Sequence, residues 1–146
     1  MIDLEKFLSS IPFVRSFIEV REKELEEIKT GLTLASRCGM DCEKLQDRQK
    51  KTLDELERLR RKERAAVQIV ELIEPPQYGE VIKAHYLDGE TWENVAEKLF
   101  FSASYLYRIR NKVFKKLQTD QAKEVQAIMQ AIEEPIGEAA NEASSD

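Results

Sequence analysis

Between Ser102 and Lys116 the chain gathers hydroxyl, amide, aromatic and basic side chains: Ser102, Ala103, Ser104, Tyr107, Arg108, Arg110, Asn111, Lys112, Lys115 and Lys116. No acid falls between Lys98 and Asp120. These residue types suit contact with double-stranded DNA. A guanidinium grips a guanine edge through two hydrogen bonds, an amide does the same on adenine, and small or hydroxyl side chains let a helix approach the bases. Lysine ammoniums neutralise phosphates, which supply a large share of affinity and its salt dependence. The plainer reading of the same residues is a basic, solvated helix at the end of a bundle.

Other reactive side chains are few. Cys38 and Cys42 form a C-x3-C pair in "RCGMDC". A structural zinc site needs further ligands, and the only histidine, His85, is remote, so free thiols in a loop are expected and no metal. A single histidine without a neighbouring nucleophile leaves little material for a catalytic triad, and His85 reads as a packing or surface residue. No phosphate loop, metal cluster or nucleophile motif is present, so neither an enzyme nor a cofactor is expected. A second basic run, Arg58–Arg64, has Glu63 within it and Glu57 beside it, and reads as a solvated helix face rather than a nucleic-acid contact.

The basic residues need a helix to present them. Leu106, Ile109, Val113 and Leu117 are spaced i, i+3, i+7, i+11 and form a core stripe, joined by Phe114. Ala103, Ser104, Tyr107, Arg108 and Asn111 then point largely outward, with Arg110, Lys112, Lys115 and Lys116 beside or beyond them. Ser102 can cap this helix and Thr91 the one before it, which buries Val95, Ala96 and Leu99. Two short helices joined by a tight turn are a helix-turn-helix candidate. Counting from Trp92, the fifth position must be small because the helices approach closely there, and it is Ala96. The ninth position is often glycine in a left-handed conformation. Here it is Phe100, so the turn is expected to take another shape. Trp92 is expected to anchor the unit against the preceding helix.

Helical periodicity extends through the rest of the chain. Leu4, Phe7, Leu8 and Ile11 predict a short helix that stops before Pro12. Val14, Ile18, Arg21, Leu25, Ile28, Leu32 and Ala35 alternate steps of four and three, a heptad seam with one charged position. Leu45, Thr52, Leu56, Leu59, Ala66, Val70 and Ile73 repeat that spacing from about Glu43 to Glu74, with Leu53, Val67 and Ile69 broadening the stripe. Glu57–Arg61 and Asp54–Arg58 are spaced for ion pairs. With a turn at Gly39 between them, the two segments read as an antiparallel helical hairpin. Pro75 and Pro76 end it. Val81, Ile82, Ala84, Tyr86 and Leu87 predict a helix closing at Asp88–Gly89. Val125, Ile128, Met129 and Ile132 mark a last helical stripe, expected to pack back on the hairpin. Glu133–Asp146 is expected to be disordered, with screening of the basic helix as a further role.

The expected class is therefore all-α. Residues 1–74 form the helical hairpin with its short leading helix, residues 77–118 the helix-turn-helix, and residues 119–146 a short helix and acidic tail. The net charge of −5 conceals an uneven distribution. Residues 1–118 carry 22 basic and 21 acidic side chains, whereas residues 119–146 carry Lys123 against seven acids. The local charge, not the whole-chain value, decides whether nucleic acid is a partner. No window approaches the roughly 18 apolar residues of a membrane span. The acidic N-terminus lacks the pattern of a secretory signal, so a cytoplasmic protein is expected.

The stretch "TWENVAEKLFFSASYLYRIRNKVFKKL" resembles region 4 of bacterial sigma factors. Together with the preceding "HYLDGE" it is still more similar to phage regulators of the ArpU/RinA kind, in which a helical N-terminal part precedes such a unit. The resemblance is strong over Val81–Leu117. Over the hairpin it extends only to pattern and order. It implies that the helix after Ser102 reads DNA, through Ala103, Ser104, Tyr107, Arg108 and Asn111. A histidine common late in that helix is Arg110 here. The resemblance implies a transcription regulator of phage or prophage genes, often late ones. Contact with RNA polymerase and homodimerisation through the hairpin are two further partner readings. The alternative class is a helical assembly or packaging protein, such as a small terminase-like DNA-binding subunit or an adaptor.

Overall fold

The computed structural model describes residues 3–136, and every regular element among them is helical. Helix α1 spans Leu4–Ser9, α2 Ile11–Arg37 and α3 Glu43–Glu71. Helix α4, Pro76–Ile82, runs directly into a π-helical turn, Lys83–Leu87. Helices α5, Trp92–Leu99, α6, Ala103–Gln118, and α7, Ala122–Ile132, complete the described chain.

Asp3 caps α1 by accepting a hydrogen bond from the Lys6 backbone N–H at 3.1 Å. The chain breaks at Ser10, and Ile11 opens α2 instead of closing α1. Pro12 then lies in the first turn of α2, where a missing N–H leaves no bond unmade. Leu8 and Ile11 remain buried on either side of the break.

Helices α2 and α3 pack side by side and are joined by residues 38–42, with Gly39 at φ +68°. Val14, Ile18, Leu25 and Ile28 of α2 are buried, as are Thr52, Leu56, Ala66 and Ile69 of α3. Cross-helix ion pairs record the direction. Arg15 meets Glu63 at 3.1 Å, Arg21 meets Glu55, and Glu24 meets Arg48 at 3.4 Å, so numbers rise on one helix as they fall on the other. Arg21, the charged position in the seam, stays at the surface between Glu55 and Glu24. Such surface pairs add little stability.

Three expectations for α3 need correction. Leu53 and Val67 are exposed, and the additional buried face is Ala65 with Ile69. The reason is tertiary: α7 lies along that side of α3. The helix ends at Glu71 rather than Glu74, and Leu72 and Ile73 close it with tightened bonds to Ile69 and Val70. Gln121 caps that end, its side-chain amide donating to the Leu72 carbonyl at 2.9 Å. Of the two spaced ion pairs, Glu57–Arg61 forms at 3.3 Å, and Asp54–Arg58 is absent from the ion pairs of the described residues.

Helix α4 approaches the end of α3 through Gly79, where an added Cβ would lie 3.4 Å from the Val70 carbonyl oxygen. A single buried cluster then runs from Leu4 and Leu8 through the α2–α3 seam, Val81, Ile82, Tyr86 and Leu87 to Val95, the α6 stripe and Val125. Helix α7 packs back on α3 and α6, with Val125 buried and Ile128 and Met129 against the cluster. Glu133–Ile136 is non-helical, and the Glu134 carbonyl accepts from Arg61. The rest of the expected disordered tail, residues 137–146, lies outside the described residues.

Candidate nucleic-acid interface

The π-helical turn brings Tyr86 and Leu87 inward and directs His85 toward Trp92. His85 Nδ1 donates to the Glu90 carbonyl at 2.7 Å, and its ring stacks on Trp92 with centroids 3.8 Å apart. Tyr86 meets the Trp92 ring edge-on at 5.9 Å. Trp92 is thus held by residues of the preceding turn, as its expected anchoring role requires, and His85 is a packing residue.

Thr91 accepts from the Asn94 N–H at 3.2 Å and fixes the start of α5; Ser102 accepts from the Tyr105 N–H at 3.2 Å and fixes the start of α6. Between them Phe100 has φ 60° and ψ 40°. The turn therefore keeps the left-handed conformation, with phenylalanine in the place glycine usually takes. The expected change of turn shape does not occur. Backbone bonds from Phe100 and Phe101 to the Ala96 carbonyl hold the geometry against the side chain's steric cost.

Leu106, Ile109, Val113, Phe114 and Leu117 are all buried and seat α6 on the cluster. Ser104, Arg108, Asn111 and Lys115 are exposed at spacing i, i+4, i+7, i+11, one stripe along the opposite face. Ala103 and Tyr107 flank it on one side, both exposed, with the Tyr107 ring 6.5 Å from that of Trp92. Lys112 and Lys116 flank it on the other, where they border a groove of about 180 Å³ with Tyr78, Glu74 and Gln121.

Arg110 stands apart from this set. Its Nη2 donates to both carboxylate oxygens of Glu5, at 2.6 and 2.7 Å, and its Nε to the Tyr86 hydroxyl at 3.1 Å. Tyr86 in turn donates to Glu5 at 3.0 Å. The bond to Glu5, followed by that to Tyr86, holds the guanidinium above its ordinary value. Burial, opposed by Arg110 and aided by Glu5, pushes the Tyr86 phenol up to about 12. Arg110 Nη1 also donates to Asn111 Oδ1 at 3.2 Å, leaving the Asn111 amide hydrogens as its outward donors. The charge of Arg110 is therefore neutralised within the chain. No local sequence signal reveals this, because Glu5 reaches the site from α1.

Elsewhere, Cys38 and Cys42 are free thiols, and no group of three His, Cys, Asp or Glu among the described residues could hold a metal ion. No described helix is long and apolar enough to cross a membrane. What α6 offers chemically is an acid-free face with hydroxyl, guanidinium and amide groups in line and three lysines around its C-terminal half. No protein-family model, curated protein or solved structure matches the chain.

Proposed function

We propose that the chain is a sequence-specific, non-enzymatic DNA-binding regulator of transcription. In this reading α5, the Phe100–Ser102 turn and α6 act as a helix-turn-helix of the sigma region 4 kind, with α6 in the major groove. The observation that carries it is the acid-free outward stripe of Ser104, Arg108, Asn111 and Lys115 on a helix whose opposite face is buried. Ser104, Arg108 and Asn111 near the start of such a helix can meet base edges, and Lys112, Lys115 and Lys116 suit phosphates. The likeness of Val81–Leu117 to phage regulators of the ArpU/RinA kind supports phage or prophage genes as the setting. The antiparallel α2–α3 hairpin would serve as an arm for protein contacts, RNA polymerase among them.

Selection of bound fragments from random DNA tests the reading, followed by variants on the selected site. Arg108→Ala should reduce discrimination between selected and random DNA by roughly 1–3 kcal/mol. Lys115→Ala with Lys116→Ala should weaken binding to all sequences and flatten its salt dependence by about one unit of slope for each phosphate no longer neutralised. Failure to enrich any sequence, or equal losses on both DNAs for Arg108→Ala, counts against sequence-specific reading. A ring of many subunits in solution would instead favour a packaging protein.

A further inference from the structure

Helix α2 carries a second apolar stripe outside its seam with α3. Phe13, Phe17 and Val20 are spaced i, i+4, i+7 and are 69, 54 and 53 % exposed. Large apolar side chains grouped at a surface mark an interaction site more often than chance exposure does. The stripe opens into a groove of about 300 Å³ between α2 and α3, lined by Phe17, Arg21, Glu55, Arg58, Leu59 and Lys62.

The charges around this groove are selective. The basic run on α3 has five members, Arg58, Arg60, Arg61, Lys62 and Arg64. Three are paired within the chain: Arg60 with Glu22 at 3.8 Å, Arg61 with Glu57 at 3.3 Å, and Arg64 with Glu57 at 2.9 Å. The two that take part in no ion pair among the described residues are Arg58 and Lys62, the two that border the groove. Arg21 and Glu55, also at the rim, neutralise each other.

We propose that this groove binds an amphipathic helix of a partner protein, one with apolar residues at i, i+3, i+4 and i+7 and carboxylates along one flank. The apolar floor of Phe17 and Leu59, continued by Phe13 and Val20, matches the apolar face of a helix. The unopposed Arg58 and Lys62 select the sign of its flank. Nucleic acid would satisfy the two cations but leave the phenylalanines without a partner. A second copy would bring the same two cations into the interface. The proposal does not depend on DNA binding, since none of these residues lies on α6.

The test uses the full chain and two synthetic helical peptides with identical apolar positions, one flanked by glutamates and the other by lysines. Binding is followed by fluorescence anisotropy at low salt, with amide shifts to locate it. The glutamate peptide should bind roughly ten-fold or more tighter than the lysine peptide, and Phe17→Ser should weaken it by a similar factor. Arg58→Glu with Lys62→Glu should reverse the preference. All three side chains are exposed or border the groove, so thermal melting of these variants should match that of the unaltered chain. Arg108→Ala should leave peptide binding unchanged, which separates this site from the α6 face. Binding of neither peptide, equal binding of both, or a preference that survives the charge reversal overturns the proposal. So does self-association of the unaltered chain that Phe17→Ser abolishes, which assigns the face to a second copy. Shifts at Phe17 and Leu59 on adding duplex DNA overturn it in favour of nucleic acid.

Discussion

Phe100 holds a left-handed backbone at φ 60° while 93 % of its surface is exposed, so no packing of its ring offsets the strain. An L residue in that well costs roughly 1–2 kcal/mol. Phe100→Gly removes this cost and returns about 0.5–1 kcal/mol through glycine's greater freedom in the unfolded chain. A net gain of about 0.5–1 kcal/mol is expected, measured as a higher denaturation midpoint. A lower midpoint would show that the ring makes a contact that matters. Tyr86 supplies a pH dependence. Its phenol is pushed up to about 12, chiefly by burial, whereas an unfolded tyrosine ionises near about 10. The folded state keeps the proton longer, so this contribution is complete below about pH 10 and is lost as pH rises through about 12. Stability should decline across that window, and Tyr86→Phe should lessen the decline and remove the last step of the phenolate titration. An unaltered titration in Tyr86→Phe would place the late proton on another tyrosine.

At the level of the helices, those around the candidate interface are held at their starts by single side chains. Thr91 and Ser102 set the starts of α5 and α6 through hydrogen bonds readable from residue type and position. Ala96 lies partly buried against the cluster, one turn before the Phe100 turn. Ala96→Leu adds methylenes where α5 meets the body and should cost roughly 1–3 kcal/mol. Chemical denaturation measures this, and an unmoved midpoint would mean that the helices leave room there. Helix α3 shows the opposite case. Its heptad spacing anticipates the face toward α2, but its second face, Ala65 with Ile69, exists because α7 returns to cover it.

Between distant parts of the chain, the Glu5–Tyr86–Arg110 network joins the first helix to the π-helical turn and to α6. Arg15 ties α2 to Glu63 of α3, the Leu87 carbonyl and Asp88 in the same way. Only the first of these networks reaches α6 directly, through Arg110 and Glu5. A double-mutant cycle on Glu5→Gln and Arg110→Met should give a coupling of about 1 kcal/mol, kept small because the Glu5 side chain is 41 % exposed. Additive effects would show that the network forms without contributing. The same cycle separates two roles for Arg110. If it neutralises a phosphate, Arg110→Met alters the salt slope of DNA binding; if it positions α6, the variant lowers stability first.

Local spacing alone is enough for much of this protein. The all-helical class, the helix order, the caps at Thr91 and Ser102, the buried stripe of α6 and the outward phase of Arg108 and Asn111 follow from a 3.6-residue period and a few capping side chains. These features are settled within one or two helical turns, so neighbouring residues are sufficient to specify them. Which cations remain unpaired emerges only when the chain is folded. Arg110 is neutralised by a residue 105 positions away, and three cations of the Arg58–Arg64 run are paired while Arg58 and Lys62 take part in no ion pair among the described residues. Folding also settles that Phe100 keeps the left-handed turn, because the packing of α5 and α6 on a shared cluster outweighs the local preference of one side chain. Charge pairing and strain tolerance depend on which distant segments meet, and a helical period carries no record of that.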